Sequence, residues 1–540
     1  MYKQNAASGE AYDSVHSQQT LTHHQSFSFS YLTHHHQASI GNGSVLISNV
    51  FLATSLIYLA HQEAGCVDPA TGRLTQCDTR VYGFYPSSLV NNIYAIASLA
   101  AAFFMPFFGA IIDYTDHRRL SGRIVAFLLW AIQTMQIGTV YQTWFPMAIL
   151  QAIAGVLFEF HFLLSVSYLP DIIRYDVNYE VMNRFNRAFF GLQFGGQMVF
   201  LLIVVGVSSW IIPNVTDPWG SVTTAQFGQG VSSAALLVVL PLAWTWFPRT
   251  KAKHKLPEGH SLVFEGFRQN YRTAKAVAKN HRPLKWFLIT VVLAEAGITP
   301  LIPTMITIMS NIYRYNGNEV GLVFFVALSS TIPGIIVGAI ISRKYNPQVS
   351  QRVNLGILSC ATLIIAFIID KLRELGLVGG GDGVVYTGYI FAFVWGSLLG
   401  WFYATQQLFF TASLPPKQEA ELSGFYVYCT IILTWVPTLS STIMLNAGIA
   451  AQWTLLPLVI FQFLALVTSL ICPNWSEVEE AAKDPLRCTM ILDRFASTAL
   501  VGDELGANSD NDSAGDEENG AGKVDDETTT PKEELPDAHC

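Results

Sequence analysis

Twelve stretches of apolar residues, each about long enough to cross a bilayer as a helix and set apart by polar loops, limit what this chain can fold into. They fall at about 45–61, 84–112, 122–142, 145–169, 188–212, 226–247, 285–311, 319–342, 353–370, 384–412, 422–446 and 450–472. A hydrocarbon core needs roughly 20 apolar residues per helix, and every backbone N–H and C=O inside it must find its partner within the protein. A chain patterned this way folds as a bundle of membrane-spanning helices. Charge agrees, since only 13% of residues are charged, against about a quarter in a soluble protein. The expected fold class is therefore an all-α membrane protein with twelve transmembrane helices in two six-helix halves. The polar interval from Arg249 to Pro283 divides them, giving an N-terminal tail at 1–43, a first half at 44–248, a linker at 249–284, a second half at 285–472 and a C-terminal tail at 473–540.

Orientation follows from where the cations lie. The loops after segments 2, 4, 6, 8 and 10 carry about four times as many Lys and Arg as the alternate set, which assigns them to the cytosol. An even helix number then puts both termini there too. The formal charge of −8 comes from the tail: residues 501–540 hold a net −11, and the rest of the chain is +3. Strong acidity and few aromatics mark that tail as disordered, and the Ser-, Gln- and His-rich residues 1–43 read the same way, their histidine run lacking a framework to fix a metal geometry. The N-terminus also lacks the pattern of a cleaved signal peptide, leaving targeting to the first helix.

On the non-cytosolic side, Cys66 and Cys77 share a loop and are candidates for a disulfide, and Asn214-Val215-Thr216 is a candidate glycosylation site. In the linker, Val263, Phe267, Tyr271 and Ala274 recur at helical spacing, and Arg268, Arg272, Lys275 and Lys279 follow one residue later. Adjacent apolar and basic stripes describe an amphipathic helix on the membrane surface, with lipid as its partner.

A carboxylate in mid-membrane costs about 2.5–3.5 kcal/mol on insertion scales unless it lines a cavity or is paired, so buried polar residues are the default site candidates. Segment 4 offers Glu159 and His161, which head different stripes of one helix: Gln151, Gly155 and Glu159 on one, His161, Ser165 and Tyr168 on the other. Segment 7 offers Glu295, with Thr299 one turn on and then Pro300 and Pro303, a polar broken helix suited to gating or coupling. Glu159, His161 and Glu295 are the groups whose protonation would couple transport to a proton gradient. Neutral candidates for the solute pathway are Asn91, Asn92, Gln133, Gln136, Gln193, Gln197, Tyr403, Gln406 and Gln407, whose amides and hydroxyl can bind either end of an amino acid or the hydroxyls of a sugar, or can simply knit helices together. No phosphate-binding loop, nucleophile elbow or metal-ligand spacing occurs. The expectation is no enzyme, no cofactor, no metal and no nucleic-acid partner, but a monomeric carrier of a small polar solute driven by a gradient.

Between segments 2 and 3 the chain reads Gly109-Ala-Ile-Ile-Asp113-Tyr-Thr-Asp-His-Arg118-Arg119, and Gly338-Ala-Ile-Ile-Ser-Arg-Lys echoes it after segment 8. Close packing at Gly109, a carboxylate at Asp113 and the cations Arg118 and Arg119 suit a conformational latch. This loop resembles the signature of the major facilitator superfamily. Together with Ser167-Tyr-Leu-Pro-Asp-Ile172 and the stretch Glu419-Ala-Glu-Leu-Ser-Gly-Phe-Tyr426, it makes residues 80 to 475 resemble the autophagy-related vacuolar effluxer family within that superfamily. The resemblance implies export of neutral amino acids from an acidic vacuole to the cytosol, with protons as a coupling ion. Sugar or organic-acid transport at the cell surface, and a non-transporting sensor or scaffold, are the alternatives.

Overall fold

A computed structural model of the chain describes residues 41–68, 74–75, 77–168, 179–211, 218–247, 251–252, 256, 259–378, 386–414 and 419–483. All described elements are helical apart from isolated bridges in the first loop. In the first half these are α1 (Gly43–Glu63), α2 (Leu89–Tyr114), α3 (Arg118–Gln136), α4 (Trp144–Val166), α5 (Tyr179–Ile211) and α6 (Pro218–Trp246). The linker forms α7 (Leu262–Asn280). The second half contains α8 (Arg282–Ile298), α9 (Leu301–Asn311), α10 (Gly317–Lys344), α11 (Pro347–Glu374), α12 (Tyr386–Ser413), α13 (Glu419–Ile431), α14 (Trp435–Asn446) and α15 (Leu455–Ile471), and a short α16 (Trp475–Lys483) follows.

Ten segments among the described residues are long and apolar enough to cross a membrane, with α8–α9 and α13–α14 each counting as one broken span. Two more helices, α3 and α12, complete twelve. α3 begins with Arg118, Arg119 and Arg123, and α12 carries a run of glycine, tyrosine and glutamine that dilutes its apolar residues. Both still pack among the others, with Leu129 of α3 and Phe402 of α12 buried.

Small residues set the tightest helix contact. A Cβ on Gly334 of α10 would fall on the Ser397 carbonyl oxygen, one on Gly396 of α12 on that of Ala327, and one on Gly400 on that of Thr331. Glycine at these points lets the α10 and α12 backbones touch, the usual way membrane helices gain packing when lipid is as apolar as their own side chains. The close packing expected at Gly109 is absent, because a Cβ there would meet open space. Its echo Gly338 is the crowded one, against Trp401, and near the loop between α2 and α3 it is Gly266 of α7 that lies on the Pro106 carbonyl of α2.

The linker helix α7 is buried at Glu265, Thr273 and Val277 and exposed at Phe264 and Tyr271. Its buried Glu265 carboxylate accepts from Arg272 at 3.2 Å and pairs with His260 at 2.9 Å. The basic stripe is thus folded partly back onto the helix's own acid.

At the other ends of α2 and α6 the two halves meet through hydrogen bonds. Asn446, the last residue of α14, accepts at Oδ1 from the Tyr85 amide (3.1 Å) and from Ser88 Oγ (3.0 Å), and its carbonyl accepts from Arg80 (3.3 Å). Gly317 N donates to Ser221 Oγ at 2.9 Å, and Asn318 Nδ2 donates to Ser209 Oγ at 2.9 Å. The loop that carries Arg80 and Tyr85 is itself tied by a disulfide between Cys66 and Cys77, whose Cα atoms lie 5.4 Å apart. Its tip is a tight turn at Tyr82 and Gly83, both at positive φ, closed by Val81 N to Phe84 O. The candidate glycosylation residue Asn214, residues 169–172 of the Ser167–Ile172 stretch, residues 1–40 and the tail beyond residue 483 lie outside the described residues.

Candidate functional site

Span seven breaks where its sequence says it should. Thr299 N still bonds to Glu295 O (2.9 Å), Pro300 cannot donate, and α9 restarts at Leu301. The break leaves Glu295 in the last turn of α8, 4% exposed and surrounded by donors. Thr299 Oγ1 donates to Oε2 at 3.2 Å and Gln406 Nε2 of α12 donates to Oε1 at 2.8 Å. The same Gln406 nitrogen reaches the Tyr426 hydroxyl of α13 at 2.9 Å, and the Tyr403 hydroxyl lies against the Glu295 carboxylate as well. Because Nε2 faces two acceptors, the orientation of the Gln406 amide is fixed by the network. Its Oε1 is then left buried without a donor.

Opposite this group stands Glu159 of α4. It is near enough for the charge of Glu295 to act on it, and Tyr94 of α2 and Tyr403 both lie within its own range. Glu159 makes no hydrogen bond among the described residues. Glu159, Tyr94, Tyr403, Tyr426 and Thr299 all keep some accessible surface although protein encloses the carboxylates on every side, so they border an interior space rather than lipid. Tyr426 also joins the apolar cluster of the first half, beside Phe158 and Phe160, to that of the second, beside Phe410. One carboxylate from each half thus meets in a polar pocket walled by tyrosines.

His161 is placed elsewhere. Trp244 Nε1 donates to His161 Nε2 (3.2 Å), and since an indole only donates, Nε2 must be an acceptor and the proton sits on Nδ1, 3.0 Å from Asn42 Oδ1. Both ring nitrogens are engaged, the ring is 1% exposed, and it stands edge-on to Trp244 at 5.6 Å. This geometry describes a neutral histidine holding α1's entry and α6 onto α4.

The amides divide similarly. Gln133 accepts from Ser48 Oγ (2.9 Å) and donates to Asn49 Oδ1 (3.0 Å), which fastens α3 to α1. Gln136 donates to Gln151 Oε1 (3.0 Å) and fastens α3 to α4. Asn92 bonds locally to Ser88 (3.1 Å), whereas Asn91 crosses between halves to Thr307 Oγ1 (3.2 Å). Gln197 is buried beside Gly43, Gln193 is half-buried on the same helix, and Gln407 is half-buried one residue past the site. Only Gln406 and Tyr403, of the neutral candidates, join the carboxylate pair. Tyr94 and Tyr426, which are not among the sequence candidates for the site, join it too, because a tyrosine in a membrane helix gives no sequence signal that separates a site from a packing position.

The loop between α2 and α3 grips two helix ends and the side of α7. Arg118 Nε donates to Ser167 Oγ (2.9 Å) at the end of α4, its guanidinium lying 3.8 Å over the Tyr168 ring. Arg119 Nε donates to the Trp244 carbonyl (2.8 Å) and its Nη2 to that of Thr245, at the end of α6. Cations on terminal carbonyls offset the negative end of the helix dipole. Asp113 accepts from Gln269 of α7 at 3.1 Å.

The family model of the Major Facilitator Superfamily matches residues 39–432, well over half of the chain. The chain belongs to the major facilitator superfamily. Among solved structures it is similar to a D-xylose–proton symporter, at 11% identity and a TM-score of 0.55 over 82% of this chain and 98% of the other. It is also similar to the nucleoside transporter NupG, at 10% identity and 0.53 over 82% and 100%, and to the partially occluded, inward-open xylose transporter XylE from E. coli, at 11% identity and 0.51 over 82% and 100%. At such identities the likeness is one of fold. No curated protein matches the chain.

Proposed function

We propose that this superfamily member is a secondary active transporter that carries amino acids from the vacuole lumen to the cytosol by alternating access, with protons coupled through Glu159 and Glu295. The observation that carries the reading is the pairing of one membrane-embedded carboxylate from each half at an enclosed polar pocket. Two such groups are expensive in a bundle that only scaffolds, and they are useful where a solute or proton must be held between moving halves. The resemblance of the 419–426 stretch to the vacuolar effluxers supplies the solute class and the membrane. The cross-half bonds at Asn446, Ser221 and Ser209 lie at the opposite ends of α2 and α6 from the Arg118–Arg119 grip, and the cation count assigns that grip to the cytosol. With the luminal end fastened, release toward the cytosol is the step this conformation suits. In this reading Asp113, Arg118 and Arg119, without Gly109, form a latch that holds α2–α3 to α4, α6 and α7 as the halves rock.

The test is flux into proteoliposomes under imposed pH gradients, with a panel of labelled amino acids and sugars. Gradient-dependent amino-acid flux that falls in Glu295→Gln supports the reading. Sugar flux alone replaces the solute, and localisation of the tagged protein at the cell surface removes the vacuole.

A further inference from the structure

The polar atoms around the pocket are not balanced between donors and acceptors. Glu295 takes its hydrogen bonds from Thr299, Gln406 and the Tyr403 hydroxyl. On the other side stands Glu159, with two carboxylate oxygens and no hydrogen bond among the described residues. Beside them is the Gln406 carbonyl oxygen, on a side chain only 1% exposed, buried and lacking a donor. A buried acceptor left unmade costs about 1–3 kcal/mol, so this group of orphans marks a place where a donor is wanted. Three hydroxyphenyl rings, of Tyr94, Tyr403 and Tyr426, wall the same space. Aromatic faces attract cations through the ring quadrupole. No Lys or Arg whose side chain is described acts on either carboxylate; those of α3, α8, α10 and α11 lie at or close to helix ends.

We propose that the pocket between Glu159 and Glu295 binds the protonated amine of its solute, and that it favours solutes of net positive charge, such as basic amino acids and diamines, over neutral zwitterions. An ammonium group brings three donors and no acceptor, which matches the Glu159 oxygens and Gln406 Oε1. Its charge also relieves the repulsion between two carboxylates held close together. A solute carboxylate, by contrast, finds no cation among the described groups here and meets like charge, which disfavours zwitterions relative to diamines. The proposal rests on the transporter reading above for its physiological meaning, but binding can be measured without flux.

The experiment is equilibrium binding of labelled L-lysine to the purified full-length protein in detergent, with cadaverine and L-leucine as competitors, alongside the proteoliposome flux assay. Cadaverine keeps lysine's two amines and lacks its carboxylate. We expect it to compete at least as well as lysine itself, and leucine to compete about tenfold worse or weaker still, the scale of one charge-assisted hydrogen bond. Glu159→Gln should weaken lysine by about tenfold or more. It keeps the shape of a side chain that holds no structural bond, so the variant should fold; an unchanged thermal transition checks this. Leucine binding as tightly as lysine, or lysine binding unchanged in a folded Glu159→Gln, overturns the proposal and leaves the transporter reading intact. Selective amine binding with no flux of any solute under any gradient keeps the proposal and sinks the transporter reading.

Discussion

Replacing His161 separates a structural histidine from a proton carrier. In His161→Phe the ring volume is retained while two partners are stranded: the Trp244 indole N–H, which now donates at 3.2 Å to Nε2, and Asn42 Oδ1, which now accepts at 3.0 Å from Nδ1. Both lie at buried residues, and each unmade group costs about 1–3 kcal/mol, so the variant should lose about 2–6 kcal/mol. Trp244 is also seated flat over Gly122, where even a methyl group would collide with its ring, so it has little room to find another acceptor. His161→Gln, which keeps one donor and one acceptor, should recover most of the loss. The assay is the apparent unfolding temperature in detergent, followed through tryptophan fluorescence, together with the pH dependence of flux. We expect His161→Phe to unfold several degrees lower and His161→Gln to keep the wild-type pH profile. A shifted pH midpoint in a His161→Gln protein of normal stability would refute the reasoning, since it would mean that the imidazole takes up a proton during the cycle despite both nitrogens being engaged.

Three further outcomes follow from the packing and the luminal contacts. Gly396→Val forces a branched side chain onto the Ala327 carbonyl and should cost about 1–3 kcal/mol or more, read as lost monodisperse protein and a lower unfolding temperature, whereas Gly109→Ala should be neutral in the same measurement. Asn446→Ala removes the side chain that accepts from Tyr85 N and Ser88 Oγ; two bonds of about 0.5–1.5 kcal/mol each should shift the conformational balance about tenfold toward luminal opening, measured by modification of a cysteine introduced at Asn91. Peptide mapping without reductant should recover Cys66 and Cys77 as one linked pair, whereas Cys360, in mid-span on the face of α11 that carries the exposed Ile357, Ile364 and Phe367, and the buried Cys429 and Cys472 should all resist a water-soluble maleimide in the folded protein.

How much of this was legible in the sequence depends on whether the signal was periodic or relational. The membrane helices announce themselves by length and apolarity, and Pro300 by chemistry, so the bundle and the break beside Glu295 were readable. Whether a buried amide belongs to a site is different in kind. Gln133 and Gln406 look alike in sequence, each a glutamine within an apolar segment. Gln133 spends both ends of its amide on Ser48 and Asn49 of one neighbouring helix, whereas Gln406 donates twice from one end and leaves the other unmade. Local spacing cannot encode that difference, because it depends on partners 84 and 85 positions away for Gln133 and 20 and 111 positions away for Gln406.

The same reasoning explains why a second glycine motif did not mean a second copy of the same contact. Gly109 and Gly338 sit in identical Gly-Ala-Ile-Ile stretches, yet the first faces open space and the second faces Trp401, which donates through Nε1 to Ser350 Oγ at 2.8 Å. In the first half the close approach has moved to Gly266 on the linker helix, which rests on the carbonyl of Pro106, a residue whose missing N–H takes away the helical bond of the turn before it. The linker helix therefore takes a packing position against α2, and Gln269 reaches Asp113 from it. If the halves rock, α7 travels with α2, and the loop from Gly109 to Arg119 transmits that movement to the ends of α4 and α6 through two arginines bonded to them.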